Sequence, residues 1–417
     1  MKISHIAESL IGSEIIKIAG QVNVQKAAGA EITNLTIGDL NSEIYPIPEL
    51  LKEEIKKAYD HNLTNYPPAP GLLSLRTAIA DDLLSRWNQE YAVDEILVSA
   101  GSRPLIYGVY KAIVDPGEKV IYPVPSWNNN HYAYLSSADA IEIPTTAEHN
   151  FLPTAEELQP HVENAVLLAL CSPLNPTGTL FTREQLSEIC ELVIAENKRR
   201  GPDEKPLYIL YDQIYALLTF GPEHYNPVML YPELRDYTIM IDGTSKCFAA
   251  TGVRVGWSFG PKHVISKMTE LLGHVGAWAP KPEQHAVGVL LNHPDEVNLY
   301  LDHYKSRLNN SLQYLHQAVQ QLKNKGLKVD SIEPMGALYL TIKLDYIGQT
   351  TAEGDTIRNS TALVSYLIDK AGVALVPFSA FGTGPEAPWF RASVGAVSLE
   401  ELQAMVPRLR NALTQLS

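Results

Sequence analysis

Gly243-Thr244-Ser245-Lys246-Cys247-Phe248-Ala249-Ala250-Thr251-Gly252-Val253-Arg254-Val255-Gly256 is the stretch on which the reading of this chain turns. It follows an apolar, β-branched run, Tyr237 to Ile241, that has the pattern of a buried strand. Small residues crowd one lysine, and an arginine follows eight positions later between valines and glycines. A lysine amine can form a Schiff base with an aldehyde, and small neighbours leave room for a planar ring to approach. An arginine at this distance can hold a phosphate through paired donors. Together they suit an aldehyde cofactor that carries a phosphate, which is pyridoxal phosphate (PLP).

Outward from this stretch, strands alternate with helices. Asp94 to Ser99, Glu118 to Pro123, Ala165 to Cys171 and Leu207 to Tyr211 read as buried strands, with helices between them. That alternation predicts a mainly parallel sheet with helices on both faces. The turn after the first of these strands is Ala100-Gly101-Ser102-Arg103-Pro104. A strand, a Gly-Ser turn and a helix with proline in its first turn make an anion site, because free N–H groups and the helix dipole both favour negative charge. Asp212 stands at the end of a buried strand, where a carboxylate needs a positive partner. A protonated pyridine nitrogen is such a partner.

The whole lysine string resembles the signature of class I/II aminotransferases, the large group within the fold-type I PLP-dependent enzymes. Several other segments resemble that family in its own order: Asn65-Tyr66-Pro67-Pro68-Ala69-Pro70-Gly71 before Leu75-Arg76, the Gly101-Ser102 turn, Asn175-Pro176-Thr177-Gly178, Tyr211-Asp212 with Tyr215, and Trp389-Phe390-Arg391. The resemblance runs from about Gly38 to Gly395, and it implies the roles that follow. Lys246 binds PLP and moves the donor's α-proton, with Ser245 beside it. Gly101, Ser102 and Arg254 hold the phosphate, and Tyr66 reaches the phosphate of a partner subunit. Trp127 stacks on the ring, Asn175 and Tyr215 bond the ring oxygen, and Asp212 faces the ring nitrogen. Arg391 grips the α-carboxylate of the substrate, helped by the Gly38 backbone and flanked by Asn175 and Trp127. The backbone of Arg103 serves the phosphate. Its side chain matches a lysine that contacts the substrate's distal carboxylate in some aspartate aminotransferases.

The resemblance implies an α/β fold-type I transferase. We expect a large PLP-binding domain over 45–295 and a smaller α/β domain made of 1–44 and 296–417, in a homodimer with shared active sites. The implied reaction passes an amino group from an amino acid to a 2-oxo acid such as 2-oxoglutarate. Two arginines, Arg391 and Arg103, suit an acidic donor such as aspartate. The rival pocket is aromatic, built from Trp127, Trp278 and nearby tyrosines, and takes kynurenine-type donors. A PLP lyase of the same fold is the other alternative. A PLP-sensing regulator needs a basic DNA-binding segment, and the first 30 residues are too few and not basic.

Composition sets outer limits. The chain has 417 residues, 45% hydrophobic and 19% charged, enough for a large core and two domains. A net charge of −14 argues against nucleic acid as a partner. The three cysteines show no metal-binding spacing and fit a reducing compartment. No run approaches the ~18 apolar residues of a membrane span, and no charged-then-apolar leader opens the chain, so the expected setting is cytoplasmic.

Overall fold

A computed structural model describes residues 3–10, 12 and 14–417. The expected helical arm over 1–30 forms two helices, His5–Glu8 and Glu14–Ala27; its residues 1, 2, 11 and 13 lie outside the described residues.

The sheet predicted around the lysine stretch has seven strands: β1 (Ile96–Ser99), β2 (Lys119–Val124), β3 (Asp139–Pro144), β4 (Ala165–Cys171), β5 (Tyr208–Asp212), β6 (Thr238–Gly243) and β7 (Gly256–Phe259). Their spatial order is β1-β7-β6-β5-β4-β2-β3. Only β7 runs against its neighbours, pairing antiparallel with β6 and β1. Alternate residues serve opposite faces, because successive side chains of a strand point to opposite sides. Leu97, Leu210, Ile239 and Ile241 pack with Leu105 and Val109 of helix Ser102–Ile113 and Met268 of helix Lys262–His274. Val98, Leu168, Tyr211 and Met240 pack on the other face with Leu75 and Ile79 of helix Leu73–Trp87, Ile189 of helix Arg183–Arg200 and Val287 of helix Lys281–Leu291. The expected capping boxes form: Thr182 with Gln185 and Ser398 with Glu401 exchange side-chain and backbone bonds at their helix starts.

A second, antiparallel sheet comes from the C-terminal third. Its strands are β8 (Val329–Ser331), β9 (Tyr339–Leu344), β10 (Val376–Pro377) and β11 (Trp389–Ser393), in the order β10-β11-β9-β8. The long helix expected from Asp295 to Lys325 spans Pro294–Asn324. Among the described residues no helix is long and apolar enough to cross a membrane.

Several elements differ from the sequence reading. The strand expected over 31–37 pairs only at Thr33–Asn34, and the one expected over 373–377 divides. Val373–Ala374 pairs with Thr33–Asn34, while β10 joins the second sheet beside β11. A single apolar run reads the same whether its ladder is continuous or shared. Strand β3 was not expected, since it is an edge strand whose side chains are mostly exposed, and its sequence carries little apolar pattern. Strand β7 and helices Lys281–Leu291 and Ser360–Ala371 were also not foreseen. β7 begins at Gly256 and is followed by Gly260, and all four of its residues are buried, so no alternation marks it.

The ends of β1, β7 and β6 approach unusually closely. A Cβ at Gly256 would lie 2.6 Å from the Gly101 carbonyl carbon, and one at Gly243 would lie 2.7 Å from the Gly256 Cα. Gly256→Ala should therefore lower stability by about 1–3 kcal/mol, the usual range for forcing atoms into a packed core. Denaturant unfolding measures this; an unchanged midpoint would show that the strand ends can spread.

Candidate active site

At the C-terminal end of β6 the chain makes one helical turn, Thr244–Cys247, which lifts Lys246 into a cavity of about 660 Å³. The cavity opens where the parallel strands end, the usual position for a ligand in such a sheet. Lys246 Nζ donates to the Gly38 carbonyl at 2.6 Å. Burial pulls the amine down to about 8; Arg391, Arg103 and Arg254 push the same way, while Asp39 opposes them. Gly38 is itself constrained, since a Cβ there would lie 2.8 Å from Tyr339 Oη.

Asp212 ends β5 and lines the same cavity. Its carboxylate accepts the Ile214 N–H at 3.1 Å, and no cation among the described residues forms an ion pair with it. Burial raises it to about 6, against the pull of that hydrogen bond and of Lys246. It thus remains mostly ionised at neutral pH and still lacks a positive partner. Tyr215, on the loop that follows, shares a 2.8 Å hydrogen bond with Tyr339 across the cavity wall.

The anion seat expected after β1 is built from three pieces. Gly101, at φ 88°, turns the chain into helix Ser102–Ile113, whose first N–H groups have no partners within the helix. Arg254 lies beside it, donating from Nη1 to Thr251 O and from Nη2 to Ala100 O, each at 2.8 Å. Arg254 holds a left-handed φ of 59°, and a Cβ at Gly101 would lie 2.4 Å from its Nη2. Ser102 and Ser245 complete the lining.

Arg391, on β11, is 2% exposed. Its guanidinium donates to Asn175 Oδ1 at 3.0 Å and to Thr36 O at 2.7 Å, and lies over the rings of Tyr339 and Phe381. Its Nε is buried without a partner. A buried cation with a spare donor is costly until an anion reaches it. Arg103 lines the mouth of the cavity with its guanidinium 4.5 Å over the Trp127 ring. No carboxylate among the described residues pairs with Arg103.

Of the residues singled out in the sequence, Gly38, Ser102, Arg103, Trp127, Asn175, Asp212, Tyr215, Ser245, Lys246, Arg254 and Arg391 all line this cavity, and Gly101 shapes its edge. Tyr66 does not. It is 82% exposed and packs edge-on against Trp278 at 5.3 Å. Of the aromatic set considered from the sequence, Trp127 lines the cavity, while Trp278 stands beside Tyr66 outside the lining that this one chain forms. The sequence reading missed Asp39, Thr251 and Tyr339. Asp39 accepts from Thr251 Oγ1 at 2.8 Å beside the lysine. Its position directly after Gly38 was the available signal. Nothing in the sequence around Tyr339 marks it as a wall of the site.

These residues fit PLP. The amine is poised below its ordinary value, a carboxylate waits without a cation, a glycine cradle admits no side chain, and an arginine closes the anion seat.

The pattern of the aminotransferase class I and II family matches residues 30–409. The chain is 32% identical, over 99% of its own length and 83% of the relative's, to the bifunctional aspartate aminotransferase and glutamate/aspartate-prephenate aminotransferase of Petunia hybrida. It is 31% identical to an aspartate aminotransferase of Pinus pinaster, over 89% of this chain and 73% of that one. Its fold superposes on the crystal structure of the aspartate aminotransferase from Rhizobium meliloti with a TM-score of 0.91, at 26% identity and 100% coverage of both chains. With a family match across nearly its whole length, the same fold and a cavity suited to the cofactor, the chain belongs to the class I and II aminotransferases and is a PLP-dependent enzyme of that family.

Proposed function

We propose that this aminotransferase takes its amino group from an acidic amino acid, aspartate above others, and passes it to a 2-oxo acid such as 2-oxoglutarate. The observation that carries this reading is a pair of arginines facing one cavity: Arg391, buried with a spare Nε, and Arg103 at the mouth without an acidic partner. A dicarboxylate satisfies both. The names of the relatives in petunia and pine support the same choice.

The residues divide the work. Arg391, with Asn175 at its side, binds the α-carboxylate, and Arg103 the distal one. Ser102, Ser245, Arg254 and the start of helix Ser102–Ile113 would hold the cofactor phosphate. Asn175 and Tyr215 would hold its ring oxygen, and Asp212 its ring nitrogen. Bound there, PLP supplies an electron sink for the pair left behind when the donor loses its α-proton. Lys246 Nζ accepts that proton, and an amine drawn down to about 8 has a useful neutral fraction near physiological pH. Asp212 stays ionised and holds positive charge on the ring side.

We further propose a two-fold homodimer in which Tyr66 serves the neighbouring site, a reading its exposure beside Trp278 supports. The division into a large domain over 45–295 and a small one from 1–44 and 296–417 belongs to this proposal. So does a reducing, cytoplasmic setting, which three unpaired cysteines support.

Borohydride treatment of the holoenzyme should abolish its visible band and fix the label on the peptide holding Lys246; a label on another lysine would contradict the assignment. Lys246→Ala should lower turnover by about 10²–10⁴-fold, the range for a positioned acid–base group. Arg103→Met should lower kcat/KM for aspartate about tenfold or more, ~1.4 kcal/mol, while alanine as donor is nearly unaffected. Equal losses for both donors would return Arg103 to the cofactor and remove the case for an acidic substrate. Mixing an inactive Tyr66 variant with an inactive Lys246 variant should restore part of the activity through hybrid dimers. A fully active monomer, seen by sedimentation, rules the shared site out.

A further inference from the structure

On the face of the sheet turned away from the cavity, four polar side chains run through apolar core. They are Gln89, Asn226, Gln213 and Asp242; Gln89 is 5% exposed, Asn226 and Gln213 are 0%, and Asp242 at the end of the row is half-buried. Asp242 points there because it alternates with Ile241 on β6, and it shares a small cavity of about 10 Å³ with Asp82, Arg86, Cys247 and Trp257.

The direction of every hydrogen bond in this row follows from one backbone contact. Asn226 caps helix Pro227–Leu230, and its Oδ1 accepts the Met229 N–H at 2.9 Å. A backbone N–H can only donate, so the amide cannot be turned the other way. Asn226 Nδ2 must then donate, and it reaches Gln213 Oε1 at 3.2 Å. That leaves Gln213 to present Nε2 onward, to Asp242 Oδ2 at 3.4 Å. The other oxygen, Asp242 Oδ1, accepts the Gly243 N–H at 2.7 Å. Two donors converge on position 242, and an ionised carboxylate is the side chain of this size that accepts from both. Asparagine would set its NH₂ against that of Gln213.

This carboxylate has no cation of its own. Arg86, the base on the same small cavity, is taken by Asp82 through Nε and Nη2, the shortest contact being 2.9 Å. Burial pushes Asp242 up to about 7, and Asp82 and Asp212 add to the push; the hydrogen bonds from Gly243 and Gln213 pull the other way and favour the ionised form that accepts them both. A carboxylate largely withdrawn from water and left without a cation weakens a fold. Such a feature persists where position matters more than stability.

What the carboxylate holds is the start of the lysine turn. Gly243 precedes Thr244–Cys247, and Thr244 is tied through its N–H and Oγ1 to Val255 O. Gln213 follows Asp212 directly and donates its own N–H to Ile241 O at 2.9 Å. We propose that Asp242 is a positioning residue for Lys246: at the end of a one-way hydrogen-bond chain, it fixes the lysine turn against the strand end that carries Asp212. This rests on the reading of Lys246 as the reacting amine.

Asp242→Asn keeps the shape and removes the second acceptor. In the holoenzyme it should lower kcat of the donor half-reaction about tenfold, with KM for the donor within about twofold, because the groups that bind substrate are untouched. Adding Gln213→Glu restores the match, since the new carboxylate accepts from both Asn226 and the asparagine at 242, and most of kcat should return. The rate at which apoenzyme captures PLP on Lys246, trapped with borohydride, should fall and recover in step. A folded Asp242→Asn protein with parental kcat overturns the proposal, as does a loss that Gln213→Glu does not repair. Should Asp242→Asn fail to fold, Gln213→Met cuts the chain one link away and should lower kcat in the same sense; parental kcat there also overturns it. A label found on another lysine in the parent enzyme is the separate failure of the Lys246 assignment.

Discussion

The site depends on a backbone contact rather than on any side chain. Gly101, Gly256 and Gly243 stand at the meeting ends of three adjacent strands, packed closely enough that a methyl group at any of them would overlap a neighbour. Because the ends touch, the helix that starts at Ser102, the guanidinium of Arg254 and the amine of Lys246 all face one space. Each comes from a different stretch of chain. The reversed strand β7 is what brings Arg254 back to the turn after β1, and its first residue is the middle glycine of the three. Spread these strands by a single methyl and the anion seat and the amine lose their common origin.

Charge inside the cavity runs opposite to charge outside. The chain carries a net −14, yet Lys246, Arg103, Arg254 and Arg391 face Asp39 and Asp212 across the cavity. Two formal positive charges are left over, and the phosphate of PLP and the carboxylates of amino and 2-oxo acids can meet them. Burial draws the Lys246 amine down to about 8, with the three arginines adding to it, and Arg391 keeps a buried, unpaired nitrogen. Anionic ligands relieve both. Global charge therefore says little about what this enzyme binds, while the geometry of four side chains says a great deal.

Much of this was legible in the sequence, and the reason is local. Asp212, Asn175, Lys246 and the Gly101-Ser102 turn each sit at the end of a strong apolar strand, so the strand pattern and the chemistry mark the same place. The gaps have physical causes as well. Strand β3 is an exposed edge and shows no apolar rhythm. Tyr339 becomes a wall of the site only because β9 pairs with β11 and meets Tyr215 from a distant part of the chain. Thr36 contributes a carbonyl to Arg391, and a backbone oxygen leaves no trace in the identity of its residue. Trp278 read as a pocket aromatic from its residue type, and the structure seats it beside Tyr66, outside the lining of its own chain's cavity.

Arg391 and Arg103, which line the same cavity, are anchored in opposite ways. Arg391 is knitted into the fold by Asn175, Thr36 and two aromatic rings. Arg103 rests on the open face of Trp127, and no protein hydrogen bond from its side chain holds it among the described residues. One is part of the architecture and the other is laid upon it. A different side chain at position 103 would therefore leave every bond that holds Arg391 in place, so the mouth of the cavity can change its charge while its floor stays as it is.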